Sequence, residues 1–358
     1  MHSTWDSGWD SAAFRAGVER TLQEFVAGQA GWLDELGEDA RRLVEHAARS
    51  VSGGKRFRAS FCWWGHLAVA QPSDEAALLR ACASLELLHA SALVHDDYMD
   101  ASDVRRGRPA THRAFEQLHR ERGWNASAQQ YGAAAAILLG DLLLSWSDEM
   151  LRTCGLPAER VLDALTYLDK TRSEVVTGQF LDVSAQARGS VDVDTAMTVL
   201  RYKSAKYSIE RPLNLGAALA GASPGLQAQL SRFGLPLGEA FQLRDDLLGV
   251  FGDPSATGKP AGDDLTEGKR TVLVALALDG LPDDDRKRLD SALGTPLTLA
   301  EVDELRGLIE RSGAREQVEL VITELTTHAL AALDSAEVDD HARAVLRELA
   351  DAATQRVV

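Results

Sequence analysis

Apolar residues recur at helical spacing along nearly the whole chain, and no stretch alternates apolar with polar residues and β-branched enrichment. Phe14, Val18, Leu22 and Phe25 repeat behind Ser11, in a helix expected to stop near Gly28. Pro72-Ser73-Asp74 opens a long helix through Leu85, Leu88 and Val94 to about Asp100, and residues 133–150 are almost wholly apolar, hence buried. Further helices are expected over 160–187, 194–220, 225–250, 271–277, 284–293, 299–312 and 316–353, with polar, glycine-containing loops over 101–108 and 252–268. The pattern predicts an all-α fold with no sheet. It is a single-domain helical bundle around a central cavity, spanning 1–358, with residues 1–10 a disordered tail.

Charge and cysteines narrow the class. The 54 acidic residues outnumber the 38 basic ones, for a net charge of −16, which argues against nucleic acid or an anionic membrane as a general partner. Cys62, Cys82 and Cys154 form neither a disulfide framework nor a zinc spacing, which fits a reducing cytoplasm. The longest apolar stretch, from Tyr131 to Gly140, is too short for a membrane span, and no signal peptide is visible.

Two acidic clusters resist a purely structural reading. In His95-Asp96-Asp97-Tyr98-Met99-Asp100 the acids close an apolar helix, with Asp96 and Asp100 four residues apart on one face. Helix stability disfavours both features, because acids oppose the C-terminal dipole and like charges at that spacing repel. Hard oxygen ligands suit Mg²⁺, which takes one or two carboxylates plus phosphate oxygens. On this feature alone, a solvated acidic helix end explains the cluster equally well. Phe241-Gln242-Leu243-Arg244-Asp245-Asp246 closes a second apolar helix the same way. Asp283-Asp284-Asp285, at a helix start, reads as ordinary dipole compensation.

Basic, glycine-containing segments accompany these clusters: Gly53-Gly54-Lys55-Arg56-Phe57-Arg58, Arg105-Arg106-Gly107-Arg108, Gly258-Lys259 and Gly268-Lys269. Glycine lets backbone approach an anion and the cations neutralise it. Residues 252–259 do not form a nucleotide phosphate loop, since the spacing is one too long and Pro260 stands where Ser or Thr is required. Acids for Mg²⁺ and bases for phosphate imply a diphosphate substrate, and an apolar bundle implies that its remainder is apolar. Loss of diphosphate leaves a carbocation, which needs a site without water.

In the order of these motifs, together with Glu86-Leu87-Leu88-His89, Gly140-Asp141, Gly178-Gln179 and Lys203-Ser204, the chain resembles the trans-isoprenyl diphosphate synthases (polyprenyl synthetases), above all bacterial geranylgeranyl diphosphate synthases. The likeness is strongest between Gly53 and Arg270. It implies an isoprenoid synthase-like fold, a homodimer, Mg²⁺ as cofactor, and condensation of isopentenyl diphosphate with dimethylallyl, geranyl or farnesyl diphosphate. Lys55, Arg58, His89 and Arg106 would hold isopentenyl diphosphate. Asp96, Asp100 and Asp245 would ligate Mg²⁺, with Asp97, Asp246 and Lys203 completing the catalytic group. Arg105, Lys203, Ser204, Gln242, Lys259 and Lys269 would contact the allylic diphosphate. His89 precedes Asp96 by seven residues and so shares its helix side, which supports one site independently of the likeness.

Two departures stand out. Ser204 replaces the usual Thr and keeps the hydroxyl, and Gly249 replaces the acid that normally ends the second motif, leaving Asp245 and Asp246. A terpene cyclase is the first competing reading, but the stretch Asp245-Asp246, Gly249, Asp253 lacks the Ser and Glu of the cyclase pattern. A non-catalytic subunit is the second, but such subunits lose the first acidic motif, which is intact here. Ser91 and Ala92, five and four residues before Asp96, are small where an aromatic would stop chain growth in this family. The expected product is therefore geranylgeranyl diphosphate, with Trp146 or Phe180 as a candidate floor for the growing chain.

Overall fold

The computed structural model describes residues 9–252 and 262–355. It is helical almost throughout. The helices are α1 (Ser11–Leu33), α2 (Glu38–Ser50), α3 (Phe57–Leu67), α4 (Glu75–Met99), α5 (Thr111–Glu121), α6 (Ala128–Arg152), α7 (Ala158–Arg188), α8 (Val193–Leu200), α9 (Arg211–Leu219) and α10 (Pro224–Phe251). After them come α11 (Asp263–Glu267), α12 (Val272–Gly280), α13 (Asp283–Ala292), α14 (Leu299–Arg311), α15 (Ala314–Ser335) and α16 (Asp340–Thr354).

Local chemistry explains most starts. Asp10 caps α1 by accepting from Ala12 and Ala13 N–H, Asp74 caps α4, and Thr298 with Glu301 forms a capping box on α14. Residues 1–8 of the expected tail lie outside the described residues, whereas Trp9 packs edge-on against Trp64 at 5.6 Å. Several expected boundaries are corrected. Helix α1 runs five residues past Gly28, because Gln29 and Leu33 still face the interior. Helices α2, α3 and α5 are additional to the expected set, and the helix expected over 316–353 is two helices, with Ala336 extended between them. The loop over 101–108 contains a minimal antiparallel ribbon, β1 (Val104–Arg105) with β2 (Arg108–Pro109), paired Val104 to Pro109 and Arg105 to Arg108.

The chain divides into two compact units. One contains the described residues up to Leu168 together with Pro212–Ser223 and Val338–Val345. Its core gathers Leu22 from α1, Leu78, Leu85 and Leu88 from α4, Leu139, Leu143 and Trp146 from α6, and Leu168 from α7. Helix α4 is long and apolar enough to cross a membrane by length and composition alone, but 72% of that window is buried inside the protein. The other unit contains the described residues of Asp169–Arg211, Pro224–Glu337 and Leu346–Val358. Its core joins Leu243 and Leu247 of α10 to Leu273, Leu289, Leu305 and Ile322.

The expected continuous helix over 194–220 is interrupted by a π-helical segment, Arg201–Glu210. Two close approaches accompany it. A Cβ on Gly178 of α7 would lie 2.3 Å from Lys203 N, and one on Gly238 of α10 would lie 2.4 Å from Ala205 O. Only glycine lets both helices press so near this backbone, and π segments of this kind occur frequently at functional sites.

In the first unit α3 packs on residues 212–219, burying His66, whose pKa burial lowers from 6.5 to about 4. A base whose folded pKa is depressed favours the neutral form, so this stability is complete above pH 6.5 and is lost as pH falls towards 4. The contribution is about 3 kcal/mol, since each tenfold change in proton affinity between the folded and unfolded chain is worth roughly 1.4 kcal/mol. Urea unfolding of the wild type should therefore weaken between pH 6.5 and 4, and His66→Gln should flatten that slope. An unchanged slope in the variant would assign the acid loss to other groups.

Candidate active site

In the first unit the candidate residues are organised by a buried cation. Arg56 precedes α3 with a left-handed φ of 57° and is 4% exposed. Its guanidinium is held by Glu86 of α4 at 3.1 Å, by Glu19 of α1 and by the Val51 carbonyl at 2.5 Å. Glu86 also accepts from Ala59 N–H. A conformation unfavourable for arginine is thus fixed by three partners on two helices and a turn. It sets the flanking residues: Lys55 is exposed and Arg58 half-buried.

The ribbon brings the second basic segment to the same place. Arg106 and Gly107 form its two-residue turn, both with positive φ, 52° and 72°. Arg106 reaches back to donate to the Ser52 carbonyl at 2.6 Å, and its guanidinium lies over Gly54. His89 of α4 sits within this group. Burial, then the charges of Arg58, Arg106, Arg105 and Arg56, holds its imidazole well below the usual range. A neutral imidazole can bond to a ligand without adding to a crowded positive charge.

The C-terminal end of α4 separates its three acids. Asp96 and Asp100 lie on consecutive turns, and Asp100 N–H donates to the Asp96 carbonyl at 2.8 Å. Asp97 is buried and accepts from Arg105 Nε at 2.8 Å, which ties the ribbon to the helix. Asp97 and Arg105 are therefore partners, an arrangement that sequence spacing does not suggest. Ser91 is also committed: it is buried and donates to the Gly140 carbonyl of α6 at 2.7 Å, while Ala92 is half-buried. Trp146 lies in the apolar core against Phe25, and Phe180 is 69% exposed.

A second group of candidate residues belongs to the other unit. Lys203, on the π segment, pairs with Asp182 of α7 at 2.6 Å. Ser204 donates to Gln242 Oε1, and Gln242 Nε2 donates to Asp246 Oδ1 at 2.8 Å. Asp246 is buried beside Asp264 and Asp245, and desolvation, followed by the Asp264 charge, pushes its carboxyl up to about 8. Lys269 reaches Glu267 at 2.6 Å and Asp264 at 3.3 Å. Arg244, in the middle of this motif, turns away to a bidentate pair with Glu319 at 2.6 Å and plays a structural part. Lys259 lies outside the described residues.

Both acid sets suit a hard divalent cation. Asp96 and Asp100 offer oxygen donors one turn apart, and Asp246 lies close enough to Asp264 and Asp245 to feel both their charges. Among the described residues no three His, Cys, Asp or Glu side chains converge as a closed metal cage. Mg²⁺ rarely uses such a cage, preferring one or two carboxylates with water and phosphate oxygens.

Residues 41–309 match the family model described as polyprenyl synthetase. The chain belongs to the polyprenyl synthetase family. It is 34% identical to a short chain isoprenyl diphosphate synthase of Methanothermobacter thermautotrophicus over 89% of this chain and 91% of that one. It is 32% identical to a geranylfarnesyl diphosphate synthase of Natronomonas pharaonis over 80% of this chain and 77% of that one. A solved geranylgeranyl pyrophosphate synthase from Corynebacterium glutamicum, complexed with isoprenyl diphosphate and magnesium, matches at TM-score 0.95 and 40% identity, over 98% of this chain and 100% of that one. The chain is thus a trans-prenyltransferase with the all-α fold of the polyprenyl synthetases.

Three residues of this polyprenyl synthetase escape a reading of the sequence: Arg56 as the anchor, Asp182 as the partner of Lys203, and Asp264 beside Asp246. Asp182 follows Gln179 by three residues, on nearly the same helix side, which is the one local signal for it. Removing one partner of a buried ion pair leaves the other charge uncompensated, at a cost of about 3–5 kcal/mol. Glu86→Ala should lower the urea unfolding free energy by that order. A change of about 1 kcal/mol or less would show that the Arg56 cluster is not an anchor.

Proposed function

We propose that this polyprenyl synthetase is a Mg²⁺-dependent chain-elongating enzyme that condenses isopentenyl diphosphate with an allylic diphosphate, ending at geranylgeranyl diphosphate. The observation that carries the reading is the cationic group of Lys55, Arg58, Arg106 and His89, built apart from the aspartates at the α4 end. A one-substrate cyclase has no use for a second anion site. In this reading that group holds isopentenyl diphosphate. Asp96, Asp100 and Asp245 are the magnesium ligands, with Asp97 fixing Arg105. Arg105, Lys203, Ser204, Gln242, Lys259 and Lys269 contact the allylic diphosphate.

Bound magnesium supplies positive charge that makes diphosphate a better leaving group. The basic residues add fixed charge where the leaving diphosphate accumulates it, and the helical walls exclude water from the carbocation. The isopentenyl double bond attacks the cation, and the released diphosphate takes the proton. The three buried thiols, all free, fit a cytoplasmic setting.

The purified protein, given Mg²⁺, isopentenyl diphosphate and each allylic starter in turn, should incorporate isopentenyl units unaided and yield a C20 product by mass analysis. Asp96→Ala should lose about a hundredfold or more in rate, by analogy with lost transition-state charge stabilisation. A folded Asp96→Ala protein with near-normal turnover would overturn the metal reading. Cyclised product from one substrate would mean a cyclase, and an inert protein that stimulates a partner would mean a subunit.

Chain length rests on Ala92, since Ser91 is held against α6. Ala92→Phe should shorten the product by one or more five-carbon units, because the ring fills volume that the tail needs. Unchanged length would remove this face from the elongation path. A C25 product from the wild type, matching the name of the Natronomonas relative, would overturn the C20 assignment.

The homodimer reading is supported by large apolar side chains left exposed on α6 and α7: Ile137, Leu138, Val176 and Phe180. Light scattering on the eluted protein should report two subunits, and a monomer at micromolar concentration would overturn it.

A further inference from the structure

The π segment Arg201–Glu210 carries Lys203 near its start and Lys206 in its middle, and it leads directly into Arg211. π turns normally occur singly inside α-helices, so ten residues in this form need anchors outside their own backbone. Helix α7 supplies them. Glu174, Gly178 and Asp182 follow one another at four-residue intervals and share one face of that helix. The bare Gly178 lets the backbone at Lys203 approach, and an acid stands one turn to each side of it. Asp182 takes Lys203. Glu174 takes the rest of the segment. Arg211 donates Nε to its Oε2 at 2.7 Å and Nη2 to its Oε1 at 2.6 Å, and Lys206 Nζ donates to Oε1 at 3.1 Å. All of these residues belong to one compact unit.

The pairing is made by the ionised carboxylate. Burial would raise the Glu174 carboxyl, but the bonds from Arg211 and Lys206 outweigh it and hold the group below its ordinary value. Glu210, at the end of the segment, does not duplicate this clamp. It is 5% exposed and lies 3.8 Å from Lys206 and 3.6 Å from Arg211, and its Oε2 accepts no hydrogen bond among the described residues.

We infer that Glu174 is a positioning residue for Lys203. It acts through Lys206 and Arg211, which fix the middle and the end of the π segment against α7, so that its start presents the Lys203 ammonium in one place. Without the Glu174 carboxylate two cations lose their shared partner, and the segment is released towards α-helical winding. The two windings differ in residues per turn, so the change turns Lys203 relative to Arg211. The inference rests on the reading of Lys203 as a contact to the allylic diphosphate, and the experiment separates the two claims.

The probe is geranyl thiolodiphosphate, an allylic analogue that ionises slowly, titrated calorimetrically with Mg²⁺ present. Isopentenyl diphosphate, titrated without Mg²⁺, is the reference ligand, and circular dichroism confirms the fold of each variant. Lys203→Ala should weaken the analogue about ten- to a hundredfold, through the loss of a charge-assisted bond. Glu174→Gln turns one accepting oxygen into a donor facing a cation. It should weaken the analogue about tenfold and leave isopentenyl diphosphate within about twofold of wild type. In the Lys203→Ala background the same change should have no further effect, because a residue acting through Lys203 then has nothing left to position. Lys206→Met removes one clamped cation, should weaken the analogue in the same Lys203-dependent way, and carries the test if Glu174→Gln does not fold. Analogue affinity near wild type in Glu174→Gln, with Lys203→Ala impaired, overturns the inference and leaves the Lys203 reading intact. Equal weakening of both ligands, or a loss that persists in the Lys203→Ala background, assigns Glu174 a general structural part and also overturns it. Analogue affinity near wild type in Lys203→Ala overturns the underlying reading itself.

Discussion

The guanidinium of Arg56 is the constraint around which the first unit arranges its basic residues. Its pairs with Glu19 and Glu86 take one cation out of a basic loop and commit it to structure. A buried arginine without those carboxylates would be strongly unfavourable, so α1, α4 and the loop must come together in one register. Once they do, Lys55 just before Arg56 and Arg58 in the first turn of α3 are placed on either side of it. Asp97 does the same to Arg105. In both cases an acid fixes one cation of a basic segment, Arg56 in the first and Arg105 in the second.

This division lets a chain of net charge −16 keep a locally positive group. Net charge governs long-range steering, and within a screening length of about 8 Å at physiological salt the local balance decides. Around His89 the local balance is positive, since four arginines act on one imidazole. The cost shows in Arg106, whose own pKa is lowered by burial and by Arg56. A diphosphate would relieve that repulsion, which is what the proposed function asks of these residues.

The fold class and both acidic clusters are legible in the sequence because they rest on spacing within one helix. What is not legible depends on contacts between distant residues or on weak local signals. Helix α2 is polar overall and buries only Val44 and Ala47, so few apolar residues mark it although they share one face. The ribbon turn uses Arg106 where Asn or Gly would advertise positive φ. Nothing in residues 201–210 announces a π segment, which depends on Gly178 and Gly238 lying far away in sequence. The break between α15 and α16 carries neither Pro nor Gly. It is fixed by two backbone N–H groups, Glu337 donating to Gln229 Oε1 and Asp339 to the Ala68 carbonyl.

The site shows the same limit more sharply. Asp96 and Asp100 can be read as a pair because a helix fixes their separation, but Asp97 between them cannot be assigned to Arg105 without the ribbon. Gly249 reads as a loss because a linear motif counts only its own positions. In three dimensions a carboxylate is defined by where its oxygens lie, and α11 delivers Asp264 to the space that Gly249 leaves bare. The gap in the linear motif is thus a filled space in the fold, and a bare Cα is the least obstruction that a neighbouring carboxylate can meet.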